Sequence, residues 1–196
     1  MSECERQTVI NGPNGLTLAR LALLAPCIAL HRAGHPIGAS AVFLIAMATD
    51  SVDGWLARRL NQRTAFGAYL DPVVDKIVVL AMFYELAWSG LIPMAAAHLF
   101  LAREFLHSAI RSTAALQGLA VGANWMGKTK AFFQILVIAG ALLAPMLGPA
   151  GSAAERNARL WIGAGAWATV ALSWIFFFVF AYWNRMVLIG KNSGGR

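Results

Sequence analysis

The sequence predicts an all-α integral membrane protein with six transmembrane helices in one bundle. Three observations carry that expectation. Of 196 residues, 59% are hydrophobic and 13% are charged, about half the charge of an ordinary soluble domain. Mean hydropathy is +0.61. Apolar stretches recur along the chain, most of them close to the ~20 residues that cross a hydrocarbon core. A disordered chain, a fibrous repeat and a disulfide scaffold are excluded on composition. The net charge of +7 does not point to nucleic acid. The basic residues sit between apolar spans, where they set topology and meet anionic lipid or phosphate. Cys4 and Cys27 fall in different environments and predict neither a disulfide nor a metal cluster. Met1 to Asn14 carries Glu3, Glu5 and Arg6 and no apolar core, unlike a cleavable signal peptide.

The spans follow in order. The first runs from about Leu16 to Leu30 and ends at the His31–Pro36 turn. The second, from about Ile37 to Leu60, is apolar at first and acidic near its end. The third, from about Phe66 to Trp88, is acidic at its start and apolar afterwards. Ser89 to Pro93 forms a short turn. The fourth covers about Met94 to Leu116, and the fifth about Trp125 to Leu147. Gly148 to Ser152 reads as a loop, and the sixth span as about Leu160 to Trp183. An even number of spans places both termini on one side. Arg6, Arg58, Arg59, Arg63, Lys128, Lys130, Arg185, Lys191 and Arg196 belong to that side. Arg32, Arg156 and Arg159 belong to the other. The excess predicts cytoplasmic termini.

Ionisable groups inside spans are costly and mark function. Asp50, Asp53, Gly54, Ala57 and Arg58 share one helical face, being related by steps of three, four, seven and eight. Gly67, Asp71 and Asp75 share a face of the next helix. Asp53 lies roughly 10 Å from the connecting loop and Asp71 roughly 8 Å beyond it, at 1.5 Å per residue. The two helices therefore bring Asp50, Asp53, Asp71 and Asp75 to a similar depth near the cytoplasmic surface. Carboxylates that close require a compensating cation. An all-oxygen set suits Mg²⁺, Mn²⁺ or Ca²⁺, and a metal pair suits phosphoryl displacement. Gly54, Ala57 and Gly67 leave room for a ligand or for close helix packing, and Arg58 offers a fork to phosphate. Two other readings compete. One is a structural set paired with Arg58, Arg59, Arg63 and Lys76, in which Asp71–Pro72 caps a helix N-terminus. The other is a cation-coupled transporter, which would place its carboxylates near mid-membrane and show repeats or broken helices.

Asp50-x2-Asp53-Gly54-x2-Ala57-Arg58-x8-Gly67-x3-Asp71-x3-Asp75 resembles the complete signature of the CDP-alcohol phosphotransferases, with every gap correct. Asn14-x2-Thr17-x2-Arg20 is similar to the lead-in to helix one in several members. Arg103-Glu104-x3-Ser108-x2-Arg111, then Trp125-x-Gly127-Lys128-x-Lys130 and Gln134, resemble the branch whose acceptor is glycerol 3-phosphate. Ala131 stands where that branch usually has Thr.

The resemblance implies one domain over residues 1–196, with 1–13 a juxtamembrane segment and 184–196 a polar tail. It implies a cytoplasm-facing active site, a homodimer among membrane lipids, and two divalent ions, Mg²⁺ or Mn²⁺. Asp50, Asp53, Asp71 and Asp75 would bind metal, with Asp75 also the general base. Gly54, Arg58, Thr64 and Gly67 would hold CDP-diacylglycerol. The acceptor would be glycerol 3-phosphate, with inositol phosphate, phosphatidylglycerol or serine the sister possibilities. A phosphorylated acceptor needs its own cationic pocket. Arg103, His107 and Arg111 form a stripe with a period of four. Arg103, Arg111, Lys128 and Lys130 are therefore expected at the acceptor phosphate. Thr17 and Arg20 are expected at a substrate mouth. Trp161, Trp167, Trp174, Trp183 and the run Phe176–Phe178 are expected to face lipid or its interface. Glu85 reads as structural, His31 and His35 as surface groups on the far side, and His98 has no evident partner.

Overall fold

The computed structural model describes residues 12–59, 65–117, 125–149 and 151–185, with side chains for 17–49, 70, 72–117, 127–149 and 151–185. Among these residues the chain is all α-helical: α1 Gly12–Arg32, α2 Pro36–Arg59, α3 Ala65–Trp88, α4 Met94–Leu116, α5 Trp125–Leu143 and α6 Ala153–Trp183, with a 3-10 turn at Ala144–Met146. The stretch from Gly127 to Met146 and α6 are each long and apolar enough to cross a membrane. Charged residues interrupt the others. Asp71, Asp75 and Lys76 occupy the first half of α3, and Arg103, Glu104 and Arg111 the middle and end of α4.

The turns follow from local chemistry. At the ends of α1 and α3 the chain passes through Gly34 (φ 74°) and Gly90 (φ 72°). In each case the N–H three residues past the last helical residue reaches back five residues. His35 N–H donates to the Leu30 carbonyl at 2.9 Å, and Leu91 N–H to the Leu86 carbonyl at 2.9 Å. This left-handed cap favours glycine because it has no Cβ to clash. Pro36 and Pro93 then start the next helices without needing an N–H partner.

Two expectations are corrected here. The last helix starts earlier than expected, at Ala153 rather than about Leu160, directly after the expected loop that ends at Ser152. Ser152 is the N-cap of α6: Glu155 N–H donates to Ser152 Oγ at 3.1 Å. The Glu155 carboxylate accepts from Gly151 N–H and from Arg159. Asp71–Pro72 is not a helix start. α3 begins at Ala65, and Pro72 lies inside it. The missing N–H there removes one helical hydrogen bond within the acidic half of α3.

α1 packs on α2 and α3, α5 packs on α2, α3 and α6, and α4 packs on α3 and α6. The dry core fills the half of the bundle around the end of α3 and the start of α4. Phe43, Met82, Phe83, Leu86, Phe100, Ile138 and Leu142 are buried there. Phe83 and Phe100 stack at 4.8 Å. Ala39, Ala96, Ala97, Ala141 and Ala166 are completely buried and let the helix backbones approach closely. His98 meets the Tyr84 ring edge-on at 5.7 Å. Of the aromatics expected to face lipid, Trp161, Trp167, Trp183 and Phe178 are exposed, whereas Phe177 is buried and Phe176 lines a cavity between the helices. Three consecutive helical residues span about 200° of the circumference, so one lipid-facing stripe cannot take them all.

α1 is tied to α3 at two levels. Arg32 Nε and Nη2 donate to the Glu85 carboxylate at 2.9 and 2.6 Å. Arg20, fully buried, pairs with Asp75. The levels are about 18 Å apart along α1 and about 15 Å along α3, so the two helices run side by side in the same direction. The Glu85 side chain is 4% exposed and that of Arg32 63%. Arg32→Ala therefore leaves a buried carboxylate without its guanidinium, and is expected to lower stability by about 1–3 kcal/mol. The double variant Arg32→Ala with Glu85→Leu should recover most of that loss. Thermal unfolding of detergent-purified protein measures both.

Candidate active site

α3, α4, α5 and α6 enclose a cavity of about 550 Å³, in the range of small-molecule sites. Each wall supplies a distinct chemistry. α3 contributes Asp75 and Lys76, α4 contributes Arg103, Glu104, His107 and Arg111, and α5 contributes Lys128, Lys130 and Gln134. Phe100, Phe176 and Phe180 close the apolar side. The walls are predominantly positive: five cationic side chains face two carboxylates among the described residues. A low-dielectric cleft of one sign concentrates ligands of the other.

Glu104 organises this wall. Its side chain is 5% exposed. Oε1 accepts from Arg103 Nη1 at 2.8 Å and also from Lys130 Nζ. Arg103 Nε donates to the Ser173 carbonyl of α6 at 3.0 Å. Lys130 Nζ stands 5.3 Å over the Phe100 ring, a cation–π position. Ser108 Oγ donates to the Glu104 carbonyl at 2.8 Å and accepts from Lys76 Nζ at 2.6 Å. One carboxylate and one hydroxyl thus fix three cations from three helices. His107 packs against Phe180 with ring centroids 4.5 Å apart. Arg111 and Lys128 are exposed at the open end.

The expected acceptor residues Arg103, Arg111, Lys128 and Lys130 therefore line one cavity, together with Asp75. Thr17 and Arg20, expected at a substrate mouth, are both completely buried, with the Arg20 guanidinium on the Asp75 carboxylate. Asp50, Asp53, Gly54 and Arg58 lie on α2, and Gly67 and Asp71 on α3. The side chains of Asp50, Asp53, Arg58 and Asp71 lie outside the described set, and Thr64 lies outside the described residues. Among the described residues no group of three His, Cys, Asp or Glu is placed for a metal, and of the four aspartates only Asp75 has a described side chain. The donor set itself, four carboxylates on two helices, fits hard divalent cations.

Glu104, Lys76 and Gln134 were not among the expected site residues. For Glu104 and Lys76 a signal was present: an ionisable group inside a span is a candidate wherever it falls. For Gln134 it was its place one turn beyond Lys130 on α5.

A family model described as CDP-alcohol phosphatidyltransferase matches residues 10–179. The chain belongs to this family. Among its relatives, an enzyme named CDP-diacylglycerol–glycerol-3-phosphate 3-phosphatidyltransferase from Bacillus subtilis (strain 168) is 33% identical over 185 residues, covering 86% of this chain and 94% of the relative. A protein of the same name from Escherichia coli (strain K12) is 38% identical over 145 residues, covering 69% and 78%. Another, from Rickettsia bellii (strain RML369-C), is 36% identical over 131 residues, covering 65% and 72%. The family match spans all six helices apart from the last residues of α6, and so contains every cavity-lining residue except Phe180.

Removing the carboxylate of Glu104 leaves Arg103 and Lys130 as neighbouring buried cations. Glu104→Ala is expected to cost about 3 kcal/mol of stability, and Glu104→Gln, which keeps an acceptor, less. Unfolding midpoints of the two variants in detergent check the order.

Proposed function

We propose that this chain is a membrane enzyme that transfers a phosphatidyl group from CDP-diacylglycerol to sn-glycerol 3-phosphate. The products are phosphatidylglycerol phosphate and CMP. The observation that carries the reading is the single cavity in which Asp75 and the cations of α4 and α5 share one space. Such a site joins a proton acceptor to a binding surface for a phosphorylated alcohol. The names of the relatives in three bacteria agree with that substrate pair.

In this reading the acceptor enters at Arg111 and Lys128, and its phosphate descends to Arg103 and Lys130. Both inner cations are held in place before it arrives, so little is lost in ordering them. Asp75, oriented by its contact with the Arg20 guanidinium, accepts the proton of the attacking primary hydroxyl. That oxygen forms a bond to the lipid-side phosphorus as the bond to CMP breaks. Asp50, Asp53, Asp71 and Asp75 would hold Mg²⁺ or Mn²⁺, which would supply positive charge to offset that of the diphosphate and the leaving CMP. Gly54, Arg58, Thr64 and Gly67 would take the CDP moiety. We infer further that all six helices span the bacterial cytoplasmic membrane as one domain. Both termini and the cavity mouth would then face the cytoplasm, and the protein would act as a homodimer.

The test is CMP release by purified protein with CDP-diacylglycerol, Mg²⁺ or Mn²⁺, and a panel of acceptors: glycerol 3-phosphate, inositol phosphate, serine and phosphatidylglycerol. Release is expected with glycerol 3-phosphate alone, and chelation should abolish it. Asp75→Asn should lower kcat by about 10²-fold or more, the usual contribution of a positioned base. Release with a different acceptor would overturn the assignment of the cationic wall. No release with any acceptor from folded protein would overturn the enzymatic reading.

A further inference from the structure

Gln134 sits one turn beyond Lys130 on α5, lines the cavity and is 3% exposed. Its Nε2 is buried and has no hydrogen-bond partner among the described residues. Across the cavity, His107 stands one turn beyond Arg103 on α4, and its Nδ1 is likewise buried without a partner. Buried polar atoms are almost always paired, because an unpaired one forfeits its hydration. The nearby lining offers Nε2 little to bond. Arg103, Lys130 and Lys76 carry donors only, Glu104 Oε1 is already shared by Arg103 and Lys130, and neither Glu104 Oε2 nor the Asp75 carboxylate bonds Nε2. A ligand that brings an acceptor would satisfy Nε2, and a ligand drawn to this wall is anionic.

We propose that Gln134 is an acceptor-selecting residue, whose amide donates a hydrogen bond to the phosphomonoester of the alcohol substrate beside Arg103 and Lys130. A neutral amide suits that place. A further cation would repel the two present, whereas an amide adds a directed donor at no charge. His107 supplies a second polar atom on the opposite wall. The inference rests on the function proposed above, and its test separates the two.

Full-length protein in detergent is compared with Gln134→Leu and Gln134→Asn. The readouts are KM for glycerol 3-phosphate, KM for CDP-diacylglycerol, kcat, and inhibition by inorganic phosphate. Gln134→Leu is expected to raise KM for glycerol 3-phosphate about tenfold or more. Inhibition by phosphate should weaken by a similar factor, with kcat and KM for CDP-diacylglycerol within about twofold of the parent. Gln134→Asn should fall between. Leu carries no unpaired donor, so the unfolding temperature should hold or rise. A merely structural glutamine would leave KM for glycerol 3-phosphate unchanged, which overturns the proposal. A raised KM with unchanged phosphate inhibition places the contact on the glycerol hydroxyls and overturns it too. If Gln134→Leu does not fold, the same comparison is decided by Gln134→Asn. If the parent releases no CMP with glycerol 3-phosphate, the functional reading has failed. Calorimetric titration of inorganic phosphate into parent and Gln134→Leu then still decides whether the amide binds phosphate.

Discussion

A carboxylate buried between helices must be neutralised where it stands, and in this protein Glu104 is neutralised twice. Arg103 and Lys130 both donate to its Oε1. Arg103 continues to the backbone of α6 through Ser173. One oxygen therefore sets how α4 meets α5, and the guanidinium it orients sets how α4 meets α6. The positions of Lys76 and Ser108 follow, since Ser108 bonds the Glu104 carbonyl and Lys76 bonds Ser108. A buried ion pair gives little net stability over a well-packed apolar cluster. Its value here is placement. It holds two cations at fixed positions inside an apolar bundle, where an unpaired cation would be expelled or neutralised.

The rest of the architecture separates a rigid half from a working half. Around the end of α3 and the start of α4, small residues and stacked rings give a dry, close-packed core. Towards the other end of the bundle the same helices carry charges and part to form the cavity. α1 bridges the two halves, paired to α3 at Arg32–Glu85 and at Arg20–Asp75. The second pair orients a carboxylate on the cavity wall. The packed half resists deformation while the polar half admits ligands.

Much of this could be read along the chain. The helix ranges fell within a few residues of expectation for α2, α3 and α4, because apolar runs bounded by Gly and Pro mark them clearly. The start of α6 was misplaced by the polarity of its first turns, although Ser152 is an N-cap of a type legible in sequence. The cap reading of Asp71–Pro72 failed because proline is also tolerated inside a helix where neighbours compensate for the lost bond. Phe176 to Phe178 were assigned to lipid as a block, although successive side chains point in different directions around a helix.

By itself the sequence determined the helical class, the spacing of the aspartates along α2 and α3, and the period-four stripe of Arg103, His107 and Arg111. Each is a property of one helix, set by 3.6 residues per turn. Only the tertiary structure decided the partners. Glu104 serves Lys130, twenty-six residues away, as well as its neighbour Arg103. Asp75 meets Arg20 across fifty-five residues, and Gln134 is left in the cavity wall with a donor unused. Which charges pair depends on how each helix is rotated against its neighbours. That rotation is set by the summed packing of small and large side chains over whole interfaces, and no local spacing records it.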